Sequence, residues 1–265
     1  MLKKSVLLLL LFFTLGATAF APVKKKIVRI YLIGDSTMAD YSDYDGEDYI
    51  NKRYPIMGWG QVFQPFMRKD SLAQLKHLFK ADSVQVLDKA RGGRSTRTFF
   101  EEGRWTKVTK ELKKGDVVMI QFGHNDAAEN KPERYVNIQG YKEYLRLYVN
   151  QAREKGTVPI LLTPVTRNYP WKDGKIGNVH GEYPQAVKDV AKELNVLLID
   201  LQQLSIDSFS AKGEPYVTTT YFMNFESGKY KNYPEGQKDN THFLPAGAQE
   251  VARLVFQGMK ALPKQ

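Results

Sequence analysis

Five short apolar runs recur along this chain, each followed by a segment of helical periodicity, and that alternation narrows the fold more than any other feature. The runs cover residues 26–33, 84–87, 116–122, 158–162 and 196–200. Each is short, rich in Val, Ile and Leu, and reads as a strand buried on both faces. Helical patterns lie around 60–66, 102–112, 140–154 and 183–194. In the last of these Ala186, Val187, Val190, Ala191 and Leu194 form a stripe of 3.6-residue period. A final helix is expected after Pro245, which suits a first helical turn. Strands and helices alternating in this way predict a three-layer α/β/α sandwich around a mostly parallel, five-stranded, flavodoxin-like sheet. Segments 40–55 and 215–238 are long, polar and Tyr-rich, and read as insertions or binding loops.

The chain opens Met1-Leu2-Lys3-Lys4, runs apolar to Leu15, and reaches Gly16-Ala17-Thr18-Ala19-Phe20-Ala21. A basic start, a short apolar stretch and small residues read as a secretory signal peptide over 1–21, cleaved after Ala19 or Ala21. The apolar stretch is shorter than the roughly 20 residues a membrane span needs, so no stable membrane insertion is expected after cleavage. The expected location is secreted or periplasmic. Residues 22–265 fit one domain, since chains of about 200–250 residues are routinely a single α/β unit. The sequence contains no cysteine, which excludes disulfides, thiol catalysis and lipoprotein anchoring. The net charge is +10, but the positive charge is dispersed and comes with no nucleic-acid-binding motif, so nucleic acid is not an expected partner. The composition leaves the oligomeric state open.

Four blocks fall at strand ends or just before the last helix. Gly34-Asp35-Ser36 follows the first strand and places a hydroxyl where α/β sheets bind ligands. Ala90-Arg91-Gly92-Gly93-Arg94-Ser95 follows the second, and its glycines let backbone N–H groups approach a ligand. Phe122-Gly123-His124-Asn125-Asp126 follows the third, with an Asn able to offer an N–H to an oxyanion. Asp239-Asn240-Thr241-His242 precedes the final helix, and an Asp three residues before a His can orient the imidazole. Together they suggest a nucleophile, a base and an orienting carboxylate.

These blocks resemble those of the SGNH, or GDSL-type, hydrolases. The longer strings Gly34-Asp35-Ser36-Thr37-Met38-Ala39, Gly58-Trp59-Gly60, Gly93-Arg94-Ser95, Thr163-Pro164-Val165-Thr166-Arg167 and Asp239-Asn240-Thr241-His242-Phe243 resemble the rhamnogalacturonan acetylesterases within them. The resemblance implies a secreted serine esterase that removes O-acetyl groups from a plant cell-wall polysaccharide, rhamnogalacturonan (pectin), or an oligosaccharide of it. It implies Ser36 as nucleophile, His242 as general base and Asp239 as its orienting partner. It also implies an oxyanion hole of the Ser36 and Gly93 N–H groups and the Asn125 amide, and no cofactor. The string Asp88-Lys89-Ala90-Arg91 is more basic than is usual for the family, which bears on substrate selectivity.

Each assignment has a plainer counterpart. Ser36 in an Asp-Ser-Thr string is also good capping chemistry. Gly92 adjoins Gly93, so the register of the second donor is open by one residue. His242 could cap the final helix, His124 reads as structural, and Ser95 reads as a helix N-cap. Arg91 and Arg94, with Trp59 and the tyrosines of 41–54, are candidate substrate contacts for a polymer carrying uronate groups. The alternative for the arginines is internal ion pairing with Glu101, Glu102 or Asp88. The sequence has no Gly-x-Ser-x-Gly elbow, no zinc-ligand cluster and no dinucleotide fingerprint, and no metal is expected. Rival functions are acetyl release from another glycan such as xylan or a sialoglycan, broad short-chain ester hydrolysis, and glycan binding without activity.

Overall fold

The computed structural model describes residues 26–44 and 46–264. The leader read over 1–21, with its cleavage sites, lies outside them. Strands β1 (Ile27–Gly34), β2 (Ser83–Asp88), β3 (Val117–Gln121), β4 (Val158–Leu162) and β5 (Leu197–Ile199) form one sheet in the order β2-β1-β3-β4-β5. Every neighbouring pair is parallel, so the main sheet is wholly rather than mostly parallel. This is the flavodoxin-like order. The connections leave β1 in opposite directions toward β2 and β3, which makes the carboxyl end of β1 the switch point where such sheets open a crevice.

Helices α1 (Thr96–Glu101), α2 (Arg104–Glu111), α3 (Ile138–Glu154) and α4 (Tyr183–Glu193) cover one face, and α5 (Leu201–Lys212) and α6 (Pro245–Ala261) cover the other. The period-2 alternation of the strands divides the core between them. Tyr31, Ile33, Val118, Ile120 and Leu161 pack with the α1–α4 layer, and Ile30, Leu32, Val117, Met119 and Ile160 with the α5–α6 layer. Helix α3 buries Tyr141, Leu145, Tyr148, Val149 and Ala152, a stripe of helical spacing, and Asn137 caps it by accepting from Gly140 N. A cap of this kind contributes about 1 kcal/mol.

Three segments differ from the reading of the sequence. The pattern at 60–66 folds as two short 3₁₀ turns, Trp59–Val62 and Gln64–Met67, because Pro65 has no N–H to continue an α-helical ladder. Helix α5 follows β5 where the sequence shows no helical stripe. Its buried face includes Gln202 and Ser205 beside Leu201 and Phe209, which erases the apolar stripe. The segment 215–238 is only partly loop. After a helical stretch over 214–221, β6 (Phe222–Phe225) pairs antiparallel with β7 (Gln237–Phe243). Phe222 faces Phe243, but Met223 faces Asp239. Asn240, Thr241 and His242 are therefore unmatched, forming a bulge in β7 that turns those side chains out of the ladder.

Candidate active site

The turn that carries Ser36 is built from the end of β1. Gly34 lies so close to β3 that a Cβ there would stand 2.5 Å from the Gln121 carbonyl. Asp35 then accepts on one oxygen from Thr37 N at 3.0 Å and Thr37 Oγ1 at 2.8 Å. Met38 N and Ala39 N close the turn on the Asp35 carbonyl. Burial raises the Asp35 carboxyl above its ordinary range, against the pull of these hydrogen bonds. Ser36 is held at the tip.

His242 reaches Ser36 from the bulge of β7. Asp239 Oδ1 accepts from Thr241 N at 2.8 Å and His242 N at 3.0 Å, and its Oδ2 meets His242 Nδ1 at 2.7 Å. A carboxylate only accepts, so Nδ1 carries the proton. In the neutral ring Nε2 then presents its lone pair to Ser36 Oγ, 2.9 Å away. Burial pushes the Asp239 carboxyl up, but its bonds to His242 and the backbone outweigh that and hold it below the usual carboxylate range. The carboxylate, imidazole and hydroxyl thus form one unbroken hydrogen-bonded chain.

The glycine block and Asn125 close the opposite side. Gly92 N donates to Tyr44 Oη at 2.6 Å, so that N–H is occupied. Gly93, at φ +79°, is the glycine that lines the cavity with Ser36 and Asn125. Asn125 Nδ2 donates to the Arg94 carbonyl at 2.8 Å, and Asn125 Oδ1 accepts from Arg134 Nη1 at 3.1 Å. Behind it, Asp126 accepts from Thr96 N and Oγ1 and ties α1 to the end of β3. Burial pushes the Asp126 carboxyl up to about 7 despite those bonds. Ser95 caps α1 through a capping box with Thr98.

The cavity measures about 530 Å³, and His124, His180, Lys131, Arg134 and Arg167 also line it. His124 Nδ1 faces both Arg167 Nε at 3.3 Å and His180 Nε2 at 3.2 Å. A guanidinium always donates, so His124 Nδ1 is unprotonated and His180 Nε2 carries a proton. Burial, with the nearby cation of Arg167, lowers His180 to about 3 and holds His124 well below the ordinary imidazole value. Both rings are neutral wall elements.

Three sequence-derived substrate contacts fall elsewhere. Trp59 is fully buried in the core, with Nε1 donating to Gln121 Oε1 at 2.8 Å, so its ring offers no face to a sugar. Arg94 binds Glu102 through Nε at 3.0 Å and the Gly92 carbonyl through Nη1 at 2.8 Å; the internal ion pair is its place. Arg91 lies 3.7 Å over the Tyr44 ring and lines a separate pocket with Asp88 and Arg104. Tyr41 and Tyr44 are buried, stacked on each other at 5.0 Å. The cations that face the cavity are Lys131, Arg134 and Arg167. Sequence reasoning passed over the first two because they sit in the β3–α3 connection with no periodicity or motif to mark them. Arg167 ends the Thr163–Arg167 string, whose resemblance to the family implies no role for it. Among the described residues no group of three or more His, Asp or Glu is placed to hold a metal, and no helix is long and apolar enough to cross a membrane.

The model of the GDSL-like lipase/acylhydrolase family matches residues 32–249. The chain is 38% identical to rhamnogalacturonan acetylesterase RhgT of Bacillus subtilis over 90% of its own length and 92% of the relative's. It is 41% identical to the probable rhamnogalacturonan acetylesterase YesY of the same organism, over 88% and 93%. Among solved structures it resembles a catalytic mutant of Axe2, an acetylxylan esterase from Geobacillus stearothermophilus. That likeness has a TM-score of 0.58 at 19% identity and covers 88% of this chain and 94% of the other, a likeness of fold.

Proposed function

Because the chain belongs to the GDSL-like lipase/acylhydrolase family and is a carboxylic ester hydrolase, we propose that it removes O-acetyl groups from rhamnogalacturonan through a Ser36 nucleophile. The observation that carries this reading is the chain Asp239–His242–Ser36, with its hydroxyl opening on a polar cavity. Ser36 Oγ attacks the acetyl carbonyl as His242 Nε2 takes its proton. The charge that develops on the carbonyl oxygen meets the N–H groups of Ser36 and Gly93 and the free N–H of Asn125. The imidazolium, stabilised by Asp239, then protonates the departing sugar oxygen. Water attacks the acetyl-enzyme with His242 again as base, releasing acetate and restoring Ser36.

The choice of a pectic substrate has two supports. Two relatives with high coverage bear the name rhamnogalacturonan acetylesterase, one of them as probable. The cavity wall also carries three cations, Lys131, Arg134 and Arg167, which suit a polymer bearing carboxylates better than a neutral xylan. Export to the periplasm or beyond belongs to the same reading, on the basic, apolar and small-residue pattern of 1–21.

The test is acetate release from acetylated rhamnogalacturonan, homogalacturonan and xylan, with Ser36→Ala as the control. Preference for the first, abolished in the variant, is the expected result. Equal rates on xylan would remove the pectic assignment, and activity surviving in Ser36→Ala would remove the mechanism.

A further inference from the structure

The Asn125 amide is gripped at both ends. Its nitrogen donates to the Arg94 carbonyl and its oxygen accepts from Arg134 Nη1. A guanidinium can only donate and a carbonyl can only accept, so both contacts select the same orientation of the amide. Turned over, the side chain would set two donors against each other at Arg134 and two acceptors against each other at Arg94. In the orientation observed, one of the two hydrogens on Nδ2 is left over, and Asn125 faces the cavity beside Ser36.

Arg134 reaches Asn125 from the β3–α3 connection, where its own N–H closes a turn on the Lys131 carbonyl. Its Nη1 also lies 3.6 Å from the place a Gly93 side chain would begin. The guanidinium therefore stands beside both groups read as oxyanion donors apart from Ser36.

We propose that Arg134 is a positioning residue for the hydrolytic step: it fixes the Asn125 amide with its free N–H toward the reacting carbonyl. The proposal rests on the reading of Ser36 as nucleophile and Asn125 as oxyanion donor. It differs from substrate binding in a way that can be measured. A cation that only holds a uronate acts on KM, and only for substrates with a carboxylate. A residue that works through Asn125 acts on kcat, for every ester, and only while Asn125 is present.

The experiment is a double-mutant cycle of Arg134→Ala and Asn125→Ala with 4-nitrophenyl acetate, which carries no carboxylate. Loss of one oxyanion donor lowers kcat by roughly 10²–10³, so Arg134→Ala is expected to lower it by about 10- to 100-fold with little change in KM. In the Asn125→Ala background the same change should cost less than about 3-fold, since coupled residues are not additive. Arg134→Gln keeps a donor without the charge. It should lose less than Arg134→Ala, and it carries the same cycle should the alanine variant fold poorly. Equal losses in both backgrounds, or a loss confined to KM, overturn the proposal. Full kcat in Asn125→Ala overturns it together with the role of Asn125, while leaving the nucleophile to be judged by Ser36→Ala alone.

Discussion

Trp59 Nε1 donates to Gln121 Oε1 at 2.8 Å, and that bond is the first of three pointing the same way toward the turn after β1. Gln121 Nε2 passes a hydrogen to Thr37 Oγ1 at 2.7 Å, and Thr37 Oγ1 passes its own to Asp35. The indole therefore braces the turn that carries Ser36 from behind. Trp59→Phe leaves the Gln121 oxygen buried without a donor and should cost about 1–3 kcal/mol of stability. Urea unfolding measures this. KM for an acetylated oligosaccharide should stay within about twofold, whereas a sugar platform at Trp59 would give the reverse pattern of raised KM and unchanged stability.

The hydrogen-bonded chain from Asp239 to Ser36 makes a graded prediction. Ser36→Ala should lower kcat by at least ~10³ in a folded protein. Asp239→Asn should lower it by roughly 10³–10⁴, because an amide can donate to Nδ1 and so favours the tautomer whose Nε2 cannot accept. Circular dichroism and steady-state rates on one ester check both. A Ser36→Ala enzyme within tenfold of the parent would dismiss the serine mechanism.

Charge on the cavity wall should be visible as salt dependence. Raising ionic strength screens exposed cations over about 10 Å at 0.1 M, so KM for acetylated pectic polymer should rise while that for 4-nitrophenyl acetate hardly moves. Lys131→Ala should reproduce the selective rise. Arg94→Ala should instead impair both substrates, since Arg94 holds the Gly92 carbonyl and Glu102. Losses from Lys131→Ala that are equal on charged and neutral esters would assign it a structural part.

Stability against pH should tilt in opposite directions for two buried groups. Asp126 titrates near 7 in the folded protein against an ordinary 3.8. The native state thus binds its proton more tightly, and its contribution falls as pH rises from about 4 to 7. His180 titrates near 3 against 6.5. The unfolded state takes its proton first, and its contribution is lost as pH falls from 6.5 toward 3. Relative to the parent, Asp126→Asn should gain stability as pH rises through its window, and His180→Gln should gain as pH falls through its own. Each slope is at most about 1.4 kcal/mol per pH unit. Denaturant midpoints measured from pH 4 to 8 test the signs, and parallel curves for all three proteins would contradict them.

Tyr44 joins the loop after Ser36 to the glycine block. Its hydroxyl accepts from Gly92 N at 2.6 Å, and Tyr41, stacked on it, donates to the Ser36 carbonyl at 3.1 Å. Tyr44→Phe removes one acceptor from a part-buried N–H and should lower kcat on every ester alike by several-fold, with about 1–2 kcal/mol lost in stability. Unchanged kcat would mean that the glycine block holds its shape unaided.

Periodicity made the sheet legible, because strands covered on both faces are written as continuous apolar runs. The residues gathered at the site were legible for another reason: Ser36, Gly93, Asn125 and the pair Asp239 and His242 each stand in a short string at a chain turn. What could not be read depended on distant partners. Gln121 was the available sign of the Trp59 brace, a lone amide closing an otherwise apolar strand and so in need of a buried partner. Lys131 and Arg134 gave no sign, since a loop carries no period from which to infer where a side chain points. The bulge that turns His242 toward Ser36 depends on the slip of β7 against β6, and β7 is a polar run, Gln237–Phe243, with no strand period to mark its pairing.

That slip has a consequence in time. The sheet that carries Ser36 is complete in the chain at Ile199, yet the imidazole that faces its hydroxyl belongs to a hairpin that follows. A polypeptide still emerging from the ribosome can hold every strand of the main sheet and remain inert toward esters. Hydrolytic competence on this reading waits for a hairpin made after every strand of the sheet, so the onset of esterase activity in a refolding or synthesis experiment marks the docking of that hairpin rather than the formation of the sheet.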